Sequence, residues 1–164
     1  MKNIVLIGMP GAGKSTIGVL LAKSMLYSFV DTDLIIQNRY GKSLCDIIDA
    51  VGTDEFLNIE NDVICGCEFE RSVIATGSSA VYGGQAMNHL KSNGTVVYLE
   101  LELSEIERRL GDIHTRGVAM KNGTTVAELY DERKPIYEKY ADITLSCSGL
   151  TAEQCVDRII EMIK

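Results

Sequence analysis

Gly8-Met9-Pro10-Gly11-Ala12-Gly13-Lys14-Ser15-Thr16 meets the P-loop pattern G-x-x-x-x-G-K-[ST] at every fixed position. The flanks suit it. Residues 2–7 (Lys-Asn-Ile-Val-Leu-Ile) read as a short buried strand, and residues 16–25 as an amphipathic helix. A glycine-rich turn between strand and helix points backbone N–H groups at a phosphate chain, and a Cβ there would block close approach. Gly11, Ala12, Gly13, Lys14, Ser15 and Thr16 are therefore the candidate phosphate cradle. Lys14 can reach the β- and γ-phosphates, and the Ser15 hydroxyl can sit on Mg²⁺. The motif specifies a nucleoside triphosphate and a metal, but not the group that receives the phosphate.

The bulk composition narrows the partner. The 164 residues suffice for one domain with a real core and are too few for two. A net charge of −7, from 16 basic and 23 acidic residues without a basic run, argues against a nucleic-acid partner. The five cysteines are odd in number and lack zinc-ligand spacing, which points to reduced thiols. With no leader-like N-terminal segment and no apolar run of about 18 residues, a cytoplasmic protein without membrane contact is expected.

Along the chain, strand, helix and turn signals alternate, as in an α/β fold with a mainly parallel sheet. Strands are expected at residues 27–30, 72–76, 95–99 and 143–146. Helices are expected at 32–40, after a Ser43 cap, after a Thr53 or Asp54 cap, from Gly83-Gly84 to 91, and from Ser104 to 110. Two more follow, at 125–140 with an interruption at Pro135 and beyond a Thr151 cap. Residues 111–124 have weak periodicity and two glycine turns, and read as a mobile lid. The architecture implied is five strands with helices on both faces, in a single domain spanning residues 1–164.

Three places carry candidate chemistry besides the P-loop. Asp31 and Asp33 end the second strand, on the edge where open α/β sheets bind ligands. One can face the metal and the other the acceptor, although an N-cap pair is the plainer reading. Gly77-Ser78-Ser79 lies at the corresponding end of the third strand. Arg116, between possible hinges at Gly111 and Gly117, could close over the phosphates. Arg133 by itself reads as an ordinary surface charge on a helix. His89 and His114 have no partners of metal-ligand spacing.

Taken together, the sequence resembles the shikimate kinase family over nearly its whole length. The P-loop is shared widely. More specific are Phe29-Val30-Asp31-Thr32-Asp33, Gly52-Thr53-Asp54-Glu55-Phe56 with Glu60, and Arg133-Lys134-Pro135-Ile136-Tyr137. The resemblance implies a P-loop, nucleoside-monophosphate-kinase-like three-layer fold with a closing lid at about residues 111–124 and an acceptor-binding region at about 32–60. It implies transfer of the γ-phosphoryl group of ATP, with Mg²⁺, to the 3-hydroxyl of shikimate in aromatic amino-acid biosynthesis, by a monomer. By position, Lys14 and Ser15 keep their roles and Asp31 would support the metal. Asp33 would hold the acceptor hydroxyls, Arg116 would be the lid arginine, and Arg133 would pair with the acceptor carboxylate.

This chain departs from the family pattern in three places. Leu57 stands where the family has a second carboxylate-gripping arginine. Gly77-Ser78-Ser79 replaces a Gly-Gly-Gly turn whose backbone N–H groups meet the acceptor. Arg116-Gly117-Val118-Ala119 replaces Arg-Pro-Leu-Leu. Two further readings stay open: phosphoryl transfer to another, less anionic hydroxylated metabolite, and a non-catalytic nucleotide-binding domain.

Overall fold

A computed structural model describes residues 2–111 and 116–164. The first strand, β1 (Asn3–Ile7), is buried along its whole length, which explains its continuous apolar run. It pairs in parallel with β3 (Ser72–Ala75) on one side and β4 (Gly94–Glu100) on the other. β2 (Ser28–Asp31) and β5 (Ile143–Ser146) complete the sheet in the order β2-β3-β1-β4-β5, with every neighbouring pair parallel. Because all strands run the same way, the segments after β1, β2 and β3 emerge on one edge. That edge is where α/β sheets bind ligands.

Helices α1 (Lys14–Met25), α2 (Thr32–Tyr40), α3 (Leu44–Val51) and α4 (Thr53–Cys65) follow the first two strands. After β3 come a short 3-10 turn (Ala80–Tyr82), absent from the sequence expectations, and α5 (Gly84–Ser92). The remaining helices are α6 (Leu103–Leu110), α7 (Val126–Tyr140) and α8 (Ala152–Ile163). Two caps were legible from spacing. Ser43 Oγ accepts from Asp46 N at 3.2 Å, and Thr151 forms a capping box with Gln154.

Other local expectations give way to tertiary context. Gly52, and neither Thr53 nor Asp54, caps α4, because the Thr53 hydroxyl donates instead to the Met120 carbonyl at 3.1 Å. α6 begins at Leu103 from a Glu102 cap, one residue before the expected Ser104. α7 runs unbroken through Pro135. Its Thr125–Glu128 capping box holds one end, and burial of Leu129, Arg133 and Tyr137 holds one face, which together offset the hydrogen bond that proline removes. Of the expected lid, residues 112–115 with His114 lie outside the described residues.

The main core packs both faces of the sheet, from Ile4–Ile7 and Val96–Leu99 to Leu129, Tyr137 and Ile159. A second cluster of Ile36, Ile47, Phe56, Val63 and Ala119 ties α2, α3 and α4 to the segment before α7. Phe56 is 1% exposed. Burying a side chain of that size contributes about 1.5–3 kcal/mol, so this cluster holds α2, α3 and α4 in place against the segment before α7.

Candidate active site

The phosphate end forms locally. Gly13 caps α1 with φ 93°, a conformation that glycine adopts without strain. The turn leaves the first N–H groups of α1 facing the cleft, with the positive end of the helix dipole behind them. Lys14 is buried, and its Nζ donates to the Gly8 and Met9 carbonyls at 2.8 Å each. Burial draws its ammonium down to about 8, against the opposing pull of Asp33 and Asp31, so it remains mostly charged at neutral pH.

Asp31 caps its helix and also meets the P-loop serine. Its Oδ1 caps α2 by accepting from Asp33 N at 2.9 Å, while its Oδ2 accepts from Ser15 Oγ at 2.9 Å. A hydroxyl and a carboxylate oxygen side by side are hard oxygen donors of the kind magnesium takes. Magnesium in kinase sites uses one or two such protein ligands, with phosphate and water completing the shell. No cluster of three or more metal-binding side chains exists among the described residues, so the metal would depend on the nucleotide for its remaining ligands.

The acceptor end converges from four elements. Asp33, in the first turn of α2, is pushed up to about 6, chiefly by burial and then by the charge on Asp31. Gly77 is wedged beside it: a Cβ here would overlap both Asp33 Oδ1 and Glu60 Oε2. The Gly77 amide donates to Thr32 Oγ1 at 3.0 Å. Glu60, from α4, is 2% exposed and pushed up to about 7, mainly by burial. Its Oε1 accepts from Ser79 Oγ at 2.6 Å, and its Oε2 has no hydrogen-bond partner among the described residues.

Arg133 is no surface charge. It lies on the buried face of α7 and is 0% exposed. Its Nη1 donates to Ser78 Oγ at 2.9 Å and its Nη2 to the Ala119 carbonyl at 2.6 Å. The Tyr82 ring lies 5.4 Å from its guanidinium carbon, and Nε is unpartnered. Tyr137, one turn on, donates to the Ser78 carbonyl at 2.7 Å and stacks on Tyr98 at 5.2 Å. Neither Ser78 nor Ser79 is among the positive-φ residues, so serine fits the backbone of this turn without strain.

A cavity of about 440 Å³ joins the two ends. Gly11, Gly13, Lys14, Ser15 and Thr16 line it with Asp33, Thr76, Ser78, Arg116 and Gly117. Arg116 donates from Nη2 to the Arg109 carbonyl at 3.0 Å and from Nε to the Leu110 carbonyl at 3.2 Å. Those carbonyls end α6, where a cation is favoured. A larger hollow of about 570 Å³, between α3 and residues 117–122, holds no P-loop residue. The P-loop residues line the smaller one.

Two residues that brace the cleft from behind its lining were missed from sequence. Arg109 donates to Gly11 O at 3.1 Å while held by Glu105 at 2.9 Å, and spacing alone marked it only as a favourable charge at a helix end. Glu60 could have been found as a carboxylate in line with the buried stripe of α4, since Phe56, Glu60, Val63 and Ile64 share its inner face.

An all-parallel sheet with a P-loop after its first strand, facing buried acidic and basic groups across one cleft, defines the class of P-loop kinases. Within that class, the model of the family described as shikimate kinase matches residues 10–164. The shikimate kinase of Persephonella marina is 34% identical over 165 residues, covering 100% of both chains. Threonine synthase-like 1 of Pongo abelii is 34% identical over 167 residues, which are 99% of this chain but 22% of that one. Among solved structures, a shikimate kinase from Acinetobacter baumannii in complex with shikimate superposes with a TM-score of 0.89 at 27% identity, covering 99% of this chain and 93% of that one. The chain belongs to the shikimate kinase family.

Proposed function

We propose that this protein transfers the γ-phosphoryl group of Mg-ATP to the 3-hydroxyl of shikimate. The observation that carries the reading is the shared cavity, where Lys14 and Ser15 meet Asp33 and Arg116. Gly11, Ala12, Gly13 and Thr16 complete the cradle for the nucleotide phosphates. Ser15 and Asp31 would hold magnesium, which would supply positive charge to offset that of the nucleotide phosphates.

Asp33 accepts a hydrogen bond from the acceptor hydroxyl and aims its oxygen at the γ-phosphorus. The new O–P bond forms as the bond to the β–γ bridging oxygen breaks, and the hydroxyl proton leaves toward Asp33. Lys14 and Arg116 stabilise charge on the transferring group. Ser78 faces the acceptor, with Gly77, Ser79 and Arg133 packed directly behind it. Residues 32–60 are its main support and 111–124 the lid, within a single domain that acts as a cytoplasmic monomer. No helix among the described residues is long and apolar enough to cross a membrane.

The test is ADP release from Mg-ATP with and without millimolar shikimate. Strong shikimate-dependent release is expected, and ATP binding without such release overturns the reading. The rival of another acceptor draws on Leu57, which packs among apolar residues around Phe56 and brings no cation to the cleft.

A further inference from the structure

We infer that Ser78 is a specificity-determining residue, which presents the acceptor with a hydroxyl donor in place of the Arg133 guanidinium. The inference rests on the cleft being a shikimate-type acceptor site and concerns how its wall treats a carboxylate.

Two cations line the cavity among its described residues, Lys14 and Arg116, and both stand at the phosphate end. Arg133 lies behind the wall. It is fully buried, with Ser78 Oγ in front of Nη1 and the Ala119 carbonyl on Nη2. Ser78 itself is partly exposed and lines the cavity. Its oxygen already accepts from a guanidinium, so its own O–H is left to donate. A hydroxyl that accepts from a cation is a stronger donor than an ordinary serine.

An acceptor carboxylate entering the cavity therefore meets one polarised O–H. A glycine here would let it meet the planar fork of an arginine, which binds carboxylates in pairs of charge-assisted hydrogen bonds. Leu57 adds no charge to compensate. The wall is built to place a polar group while discriminating weakly between a charged and an uncharged one. The Ser78 backbone is anchored independently through Tyr137, so a side-chain change alters the wall without releasing the turn.

The experiment compares shikimate with its uncharged methyl ester on the full chain. It measures kcat/KM for each and, separately, the melting temperature with each ligand and without nucleotide. In the wild type the acid and the ester should differ little. Ser78→Gly should uncover Arg133 and raise the preference for the acid by about tenfold or more, as a charged fork replaces one neutral donor. Most of that gain should lie in KM. Ser78→Ala keeps Arg133 covered but removes the donor, and should weaken both ligands without raising the preference.

A preference unmoved in Ser78→Gly, within about twofold, overturns the inference even if the wild type phosphorylates shikimate well; about tenfold per 1.4 kcal/mol makes a real charge contact easy to see. A wild type already preferring the acid as strongly as Ser78→Gly also overturns it. If the wild type turns over neither ligand, the proposed reaction falls. The melting shifts then decide the inference alone: a Ser78→Gly protein stabilised by the acid more than by the ester supports it, and equal shifts overturn it.

Discussion

At the phosphate end of the cleft, nine consecutive residues form the turn; at the end proposed for the acceptor, Asp33, Glu60, Gly77, Ser78, Ser79 and Arg133 arrive from four separate elements. The first is held by backbone geometry and a helix N-terminus. Its polar groups are mutually satisfied, with Lys14 on two carbonyls and Ser15 on Asp31. The second is held by packing. It contains the two buried side-chain polar atoms without partners among the described residues, Glu60 Oε2 and Arg133 Nε. Unsatisfied buried groups cost stability and are kept where they serve recognition. The contrast separates a site that tolerates little change from one where specificity can be rewritten.

The largest expected effect tests the phosphate end. Lys14→Ala should lower kcat by about 10²–10³-fold or more, because a charge aimed at the transferring group is lost. ADP release at saturating Mg-ATP measures it. A variant retaining near-wild-type turnover would break the comparison, since the phosphate end would then not be the inflexible one.

Glu60→Gln tests the acceptor end through pH. The Glu60 carboxyl is raised from 4.5 to about 7 by burial, with Asp33 adding to the rise and Ser79, Arg133 and Lys14 opposing it. The folded state therefore holds its proton where the unfolded state has released it. Folding stability from this group is present below about pH 4.5 and lost as pH rises to about 7. Glutamine does not titrate. The stability of the variant relative to the wild type should thus climb by on the order of 3 kcal/mol between pH 4 and pH 8 in urea unfolding. A flat difference would mean that Glu60 is solvated or ion-paired in solution, and that the acceptor end is no costlier than the phosphate end.

Gly77→Ala sharpens the same contrast sterically. The new Cβ would meet the carboxyl groups of both half-buried Asp33 and buried Glu60, and overpacking of this kind costs about 1–3 kcal/mol. We expect a lower unfolding midpoint together with a raised acceptor KM and an unchanged ATP KM. A change confined to the ATP KM would show the two ends to be coupled. The smallest effect is expected from Thr125→Ala, which removes the capping box of the helix carrying Arg133 and should cost about 1 kcal/mol in thermal unfolding. ATP affinity should not change.

These differences track how each end could be read from the chain. Helix and strand placement followed from periodicity and turn residues, and α2 and β5 fell where the pattern set them. The P-loop carried its own context on both sides. The failures occur where a distant group competes with a local rule: Thr53 leaves its cap for Met120, and Pro135 sits inside a helix that packing holds together. Arg133 is the instructive case. Its neighbours Leu129 and Tyr137, four residues away on either side, mark it as facing inward, yet a lone arginine gives no indication of what it would face.

The sequence alone determined the class of fold, the P-loop turn and the approach of Asp31 to Ser15, because each depends on residues close in the chain or on strand order. It also exposed the altered acceptor positions, Leu57 and Ser78-Ser79. Only the tertiary structure decided what those alterations do: Ser79 binds Glu60, Ser78 covers Arg133, and Leu57 joins an apolar cluster. Burial and hydrogen-bond partners 19 to 55 residues apart are set by how helices pack on the sheet, and no local pattern encodes them.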